Sequence, residues 1–163
     1  MTRAILSIGS NVGDRLATLR GAVDAFGPWL VAVSPVYETP PWGPVPQDDY
    51  FNAVLIAEDA AAAPRGWLDR AHAAEQAAGR TRDVRWGPRT LDVDVVDVAG
   101  VHSDDPELTL PHPRAAERAF VLVPWLAADP SAELAGRPVG ELIAALPAED
   151  VAGVRLVPGV HLQ

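Results

Sequence analysis

The stretch that most constrains this chain is Arg85-Trp86-Gly87-Pro88-Arg89-Thr90-Leu91-Asp92-Val93-Asp94-Val95-Val96. Its second half is β-branched or apolar at nearly every position except two aspartates, the pattern of a largely buried strand. Side chains at i and i+2 of a strand leave the same face, so Asp92 and Asp94 are predicted to point together and Val93 away. Two carboxylates so placed repel each other unless a cation lies between them. Mg²⁺ is a common answer, held by one or two carboxylates plus substrate phosphates. Upstream, Arg80, Arg82, Arg85 and Arg89 face only Asp83 within ten residues, a basic island in a chain of net charge −9. A solvated arginine loop beside a strand whose acids bind nothing fits an isolated D-x-D equally well.

The chain's 163 residues suffice for one domain with a real core. No apolar run reaches the roughly 18 to 20 residues of a membrane span, and no signal peptide opens the sequence, so a cytoplasmic protein is expected. Cysteine is absent, which excludes disulfides, thiolate catalysis and cysteine-based zinc sites. Lysine is absent too: all 13 cationic residues are arginine, so a Walker-type phosphate loop and a Schiff-base lysine are impossible. The acidic total argues against a nucleic-acid surface. Any anion must be held by a local arginine pocket.

Ala4-Ile5-Leu6-Ser7-Ile8 reads as a short buried strand ended by Gly9-Ser10-Asn11. Leu16, Leu19, Val23 and Phe26 recur at helical spacing, closed by Gly27-Pro28. Between Gly9 and Gly13 a plain turn and helix cap are favoured over a phosphate loop. Strands are predicted from Val31 to Tyr37 and from Tyr50 to Ala57. Between them, four prolines among Thr39-Pro40-Pro41-Trp42-Gly43-Pro44-Val45-Pro46 impose a stiff loop, its tryptophan either a packing plug or a lid over a flat ligand. Pro64 opens a second helix with Trp67, Leu68, Ala71, Ala74 and Ala78 inward and Gly79 just past its end. Glu75 sits near that C-terminus, where the dipole disfavours an anion; the following arginines or a ligand hold it, or it is a plain surface residue. Arg80 to Trp86 is read as a loop before the Asp92 strand. Beyond Gly100 come an extended Leu108-Thr109-Leu110, a Pro111-His112-Pro113 turn leading into a helical segment through Arg118, and apolar structure from Phe120 to Trp125 broken by Pro124. A helix from Val139 to Leu146 and a strand from Val154 to Val157 complete the chain. Strands and helices interleave through connections too short for parallel crossovers, which predicts a single-domain α+β sandwich over 1–163 with a mainly antiparallel sheet.

Six segments, taken in order, have a more specific meaning: Ile8-Gly9-Ser10-Asn11, Tyr37-x-Thr39-Pro40-Pro41-x-Gly43-Pro44, Asp49-Tyr50-x-Asn52-Ala53, Gly79-Arg80-x-Arg82, Arg85 through Asp92-x-Asp94, and Leu108-Thr109-x-Pro111-His112. Over nearly its whole length the chain resembles the 6-hydroxymethyl-7,8-dihydropterin pyrophosphokinases of folate biosynthesis. The resemblance implies a ferredoxin-like sandwich and transfer of pyrophosphate from ATP to the pterin hydroxymethyl group, releasing AMP. It implies two Mg²⁺ ions held by Asp92 and Asp94, with ATP as co-substrate. Such a transfer needs charge neutralisation and alignment more than covalent help from the protein.

By the same resemblance, Arg82, with Arg80 beside it, matches a loop arginine that closes over the phosphates, and His112 and Arg118 match contacts to the phosphate chain. Tyr50 and Phe120 match a pair that stacks on the pterin, although ordinary core packing would explain two aromatics without it. Asn52 reads the pterin's mixed donor and acceptor edge. Thr39, Pro40 and Trp42 complete that recognition, while Trp86 and Arg89 seal the cleft. His72, Glu75 and Thr109 fall on the nucleotide side. No side chain is an evident general base, and metal coordination is inferred to lower the pKa of the hydroxymethyl group.

Three positions depart from the family pattern. His72 stands where a glutamine toward adenine is expected, Pro113 where an aromatic is common, and Glu107 where some members are basic. His102 and His161 read as surface residues. A nucleotide-binding regulatory module without chemistry and a metal-dependent phosphohydrolase are the competing readings; the first needs no paired acids. A monomer acting on ATP and the hydroxymethyl dihydropterin is expected, without nucleic-acid or membrane partners.

Overall fold

The computed structural model describes residues 2–41, 43–79 and 90–163. The elements in chain order are β1 (Thr2–Ser10), α1 (Arg15–Phe26), β2 (Leu30–Val33), β3 (Tyr37–Thr39), β4 (Tyr50–Asp59), α2 (Pro64–Ala77), β5 (Asp92–Val98), β6 (Ser103–Asp105) and β7 (Leu108–Leu110). They continue with α3 (Ala119–Ala128), β8 (Glu133–Leu134), β9 (Arg137–Pro138), α4 (Val139–Ala144), α5 (Ala148–Ala152) and β10 (Arg155–Leu156). Among the described residues, six strands form the main sheet in the order β10-β3-β4-β1-β5, with β2 also on β4, and every pairing in it is antiparallel.

Two split β-α-β units generate this order. Strands β1 and β2 are parallel with β4 between them, and β4 and β5 are parallel with β1 between them, so α1 and α2 each cross over one intervening strand. The result is a ferredoxin-like α+β sandwich. Ala4, Leu6, Ile8, Leu55 and Val95 face α1 and α2, where they meet Leu19, Phe26 and Trp67. Ile5, Val54, Ile56 and Val96 face the other way, onto Leu122 and Trp125 of α3. Alternation along each strand thus builds two cores, one on each side of the sheet. Among the described residues no helix is long and apolar enough to cross a membrane.

Several local expectations are corrected. Gly9 does not end β1; the strand runs on through Gly9 and Ser10, paired on both sides at Gly9. Side-chain room explains why the position is glycine, because a Cβ there would stand 2.7 Å from Asn52 Nδ2. The strand expected from Val31 to Tyr37 is two strands. Pro35 has no N–H to extend the ladder, and Ser34 bridges the gap by donating its N–H to Val54 O and accepting the Val54 N–H at Oγ, 2.9 and 2.8 Å. Pro124 breaks nothing: α3 runs through it, since half of the helix, Pro124 included, is buried and packing outweighs one lost hydrogen bond. The turn after β1 is a plain cap, with Ala17 N–H donating to Asp14 Oδ1 at 3.0 Å. Strand β7 is the extended Leu108–Leu110 segment expected, whereas its partner β6, the hairpin β8–β9 and the helix α5 carry no strong periodicity and are not apparent from the sequence.

Candidate active site

One row across the sheet organises the site. Tyr37 lies opposite Asn52, Asn52 opposite Gly9 and Gly9 opposite Asp92, while one step along Val54, Ser7 and Asp94 are aligned. Directly opposed residues leave the same face, so Asn52, Asp92 and Asp94 project together, on the side that α3 covers farther along. Val93 and Val95 are buried in the opposite core. The facing predicted from D-x-D is therefore the one observed.

Asp92 and Asp94 open into a hollow of about 300 Å³ whose wall also includes His72, Glu75, Thr109 and His112. The acids come from β5, His72 and Glu75 from successive turns of α2, and Thr109 from β7. Glu75 is neither a surface residue nor a dangling anion. It is 4% exposed, and its Oε2 accepts the Val93 N–H at 2.9 Å, tying α2 to the strand between the two aspartates. Thr109 Oγ1 donates to Asp105 O at 3.0 Å, so β6 holds it. Glu107, on the same wall, is neutralised by Arg65, whose Nη2 lies 2.5 Å from Glu107 Oε2.

His112 is fixed by its backbone N–H, which donates to Val96 O at 2.7 Å, and by Nδ1, which accepts the Arg114 N–H at 3.2 Å. The neutral ring therefore carries its proton on Nε2. Burial, then the cations of Arg118 and Arg114, lower its pKa to about 4 against the opposing pull of Asp92. At neutral pH it is an uncharged hydrogen-bond donor. Arg118, the residue before α3, places Nη1 3.7 Å from Asp94 Oδ2.

A second hollow of about 370 Å³ is lined by Thr39, Pro40 and Phe120, with Glu149 and Gly153 from the C-terminal region. Thr39 donates its hydroxyl to Asn52 Oδ1, both side chains being buried, which fixes the carbonyl and amide ends of Asn52. Tyr50 packs beside Gly9, 3.3 Å from where its Cβ would be. The structure thus gathers Phe120 with Thr39 and Pro40, and Tyr50 with Gly9 and Asn52. Burial raises the Tyr37 pKa above its usual value, keeping that neighbour of Asn52 protonated. Trp42, Arg80, Arg82, Trp86 and Arg89 lie outside the described residues. Gly9 is the contributor missed in the sequence, where glycine before Ser-Asn signals a turn; only the strand register reveals its place between Asn52 and Asp92.

Paired acids, a neutral imidazole donor and a half-buried guanidinium at one end of an antiparallel sheet have the chemistry of a site for phosphate chains, as in phosphoryl-transfer enzymes. Comparison with known proteins is consistent and narrower. The family model of 7,8-dihydro-6-hydroxymethylpterin-pyrophosphokinase matches residues 5–130. A 2-amino-4-hydroxy-6-hydroxymethyldihydropteridine pyrophosphokinase of Mycobacterium tuberculosis is 52% identical over 169 residues, covering 96% of this chain and 90% of the relative. Similarly named proteins of Methylorubrum extorquens and Pseudomonas aeruginosa are 44% and 41% identical, over 96% of this chain and 99% and 98% of theirs. The crystal structure of Plasmodium falciparum HPPK-DHPS wild type superposes with a TM-score of 0.66 at 12% identity, over 88% of this chain. This chain spans 44% of that one, and the likeness is one of fold. The chain belongs to the 7,8-dihydro-6-hydroxymethylpterin-pyrophosphokinase family.

Proposed function

We propose that this chain transfers pyrophosphate from ATP to the hydroxymethyl group of 6-hydroxymethyl-7,8-dihydropterin, giving the pterin diphosphate and AMP in folate biosynthesis. The observation that carries the reading is the common facing of Asp92 and Asp94 into a hollow shared with His112, with Arg118 at 3.7 Å from Asp94.

The donor set suits Mg²⁺. Among the described residues no group of three His, Asp or Glu side chains is poised around an ion, so two carboxylates leave most of an octahedral shell to water and phosphate oxygens. Two ions held by Asp92 and Asp94 are proposed on the family resemblance. Bound there, Mg²⁺ supplies Lewis-acid neutralisation of the triphosphate. His112 offers its Nε2–H, and Arg118 a planar fork, to phosphate oxygens. His72, Glu75 and Thr109 are assigned to the nucleotide because they line the same hollow. Thr39, Pro40, Tyr50, Asn52 and Phe120 are assigned to the pterin: Asn52 reads its edge from a fixed orientation, and the two aromatic rings stack on it. Arg80 and Arg82 are assigned to the phosphates, and Trp42, Trp86 and Arg89 to closing the pterin side, on the family resemblance. A monomer is the proposed working unit.

Product analysis tests the reading. Incubated with Mg²⁺, ATP and the hydroxymethyl dihydropterin, the protein is expected to form AMP only when pterin is present; ADP indicates an ordinary kinase and pterin-independent release a hydrolase. Chelation of the metal is expected to stop turnover and added Mg²⁺ to restore it. Asp94→Ala is expected to abolish turnover with the fold intact, and near-normal activity would refute its role.

A further inference from the structure

Residues after 130 lie beyond the family match, yet they reach the pterin side of the sheet. Strand β10 lies along β3 with Arg155 opposite Glu38, and Val157 N–H extends the contact by donating to Val36 O at 2.9 Å. Strand β3 is the incoming stem of the proline-rich loop, and Asp49 is the last loop residue before β4. The Arg155 guanidinium touches both stems, its Nη2 lying 2.8 Å from Asp49 Oδ2 and 3.7 Å from Glu38 Oε1. Arg15 of α1 closes the ring from the other side. Its Nη1 donates to Glu38 Oε2 and to Asp49 O, both at 2.9 Å, and its Cζ lies 3.8 Å from the centre of the Phe51 ring.

Two cations and two anions thus alternate around the root of loop 40–49, and Phe51 stands between Tyr50 and Asn52. Partly exposed pairs of this kind add little to global stability. Their placement does something else. The hairpin stem itself is short, β3 having three residues. A loop leaving so brief a stem samples many arrangements unless its ends are fixed. Without Arg155, Glu38 would keep Arg15, which meets Asp49 at its backbone oxygen, and repulsion between the two carboxylates would favour a parted root.

We infer that Arg155, acting with Arg15, is a positioning residue for the pterin: it clasps the two stems of loop 40–49 and so presents Thr39, Pro40, Tyr50 and Asn52 in register. This rests on the pterin assignment of those four residues. The C-terminal strand is then part of substrate recognition without touching substrate.

The test is steady-state kinetics of the full chain, with pterin varied at saturating ATP. Arg155→Ala is expected to raise the KM for pterin about fivefold, equivalent to about 1 kcal/mol. The expected kcat stays within about twofold, the KM for ATP is unchanged, and the melting temperature moves by no more than about 2 °C, as for a surface pair. Arg155→Lys, which keeps the charge, is expected to remain near wild type. Asp49→Ala added to Arg155→Ala is expected to recover part of the loss, because it removes the repulsion with Glu38 that the arginine offsets. A pterin KM unchanged in Arg155→Ala overturns the clasp alone, and so does a parallel rise of both KM values with a fall in melting temperature, which marks a merely structural arginine. If the unmodified protein forms no AMP with pterin present, the pterin assignment fails and the clasp with it.

Discussion

Arg118 stands 3.7 Å from the Asp94 carboxylate through Nη1, while its Cζ lies 5.5 Å from the centre of the Phe120 ring. One side chain thereby touches an acid of the first hollow and the aromatic of the second. The backbone makes this possible: Arg118 is extended, with φ −107° and ψ 99°, immediately before α3, whose second residue is Phe120. Helix α3 is anchored in the core by Leu122 and Trp125, so the pair at its start is held on a rigid element.

Replacing Arg118 by alanine is expected to lower kcat on the order of 100-fold, the usual loss when a preorganised donor to developing charge is removed. Arg118→Lys is expected to recover only a small part, since an ammonium cannot reproduce a planar fork facing both a carboxylate and a ring. Circular dichroism should be unchanged in both. A kcat near that of the unmodified protein in Arg118→Ala would place the phosphate contact elsewhere.

The low pKa of His112 has a sign that can be checked. Its folded value, about 4, lies below the ordinary 6.5. Between those values the unfolded chain binds a proton that the native chain does not, so the stability that neutral His112 contributes is full above about 6.5 and is lost as pH falls toward about 4. Titration of the His112 ring by NMR is expected to show no protonation between pH 6 and 8. In Arg118→Ala the midpoint is expected to move up, because that guanidinium is the second-largest cause of the depression, after burial. A midpoint near the ordinary value in the unmodified protein would contradict the buried, cation-flanked setting.

How much of this could be read from residues alone depends on how local each cause is. The shared facing of Asp92 and Asp94 follows from strand alternation within three residues, so it was readable. The helices α1 and α2 follow from apolar spacing with Pro and Gly at their ends. What escaped depends on partners distant in sequence. Gly9 reads as a turn until Asn52 is found beside it, and Glu75 reads equally as a held acid or a surface residue until Val93 N–H is found against its carboxylate. Pro124 argues locally against the helix that burial sustains. Arg155 gives no local signal because its partners, Glu38 and Asp49, are more than a hundred residues away.

Glu75 supports a prediction about stability. Its carboxylate satisfies a buried backbone donor, Val93 N–H, and removing the acceptor leaves that group unpaired inside the protein. Glu75→Ala is expected to destabilise the fold by about 1 to 3 kcal/mol in urea unfolding. Glu75→Gln, which retains a carbonyl oxygen of similar reach, is expected to lose less than half as much. Equal losses in the two variants would mean that charge, not the hydrogen bond to Val93, holds α2 to β5.

Gly9 offers the sharpest separation of site from scaffold. An alanine methyl there would stand 2.7 Å from Asn52 Nδ2, closer than packed atoms tolerate, with the Tyr50 ring at 3.3 Å. The amide must move, and its other end is already held by Thr39 Oγ1. Displacement therefore breaks the orientation through which Asn52 is assigned to read the pterin edge, while Asp92, on the far side of Gly9, keeps its own strand. Gly9→Ala is expected to raise the KM for pterin at least about tenfold, the cost of misdirecting one buried hydrogen-bonding group. The KM for ATP is expected to change by less than about twofold, because the three atoms nearest the added methyl belong to Asn52, Tyr50 and Phe51 rather than to Asp92. Thr39→Val, which frees Asn52 without crowding it, is expected to give a smaller rise of the same kind. An equal rise of both KM values in Gly9→Ala would mean that the methyl disturbs the whole β4-β1-β5 row, and that Asn52 and the aspartates do not respond as separate parts.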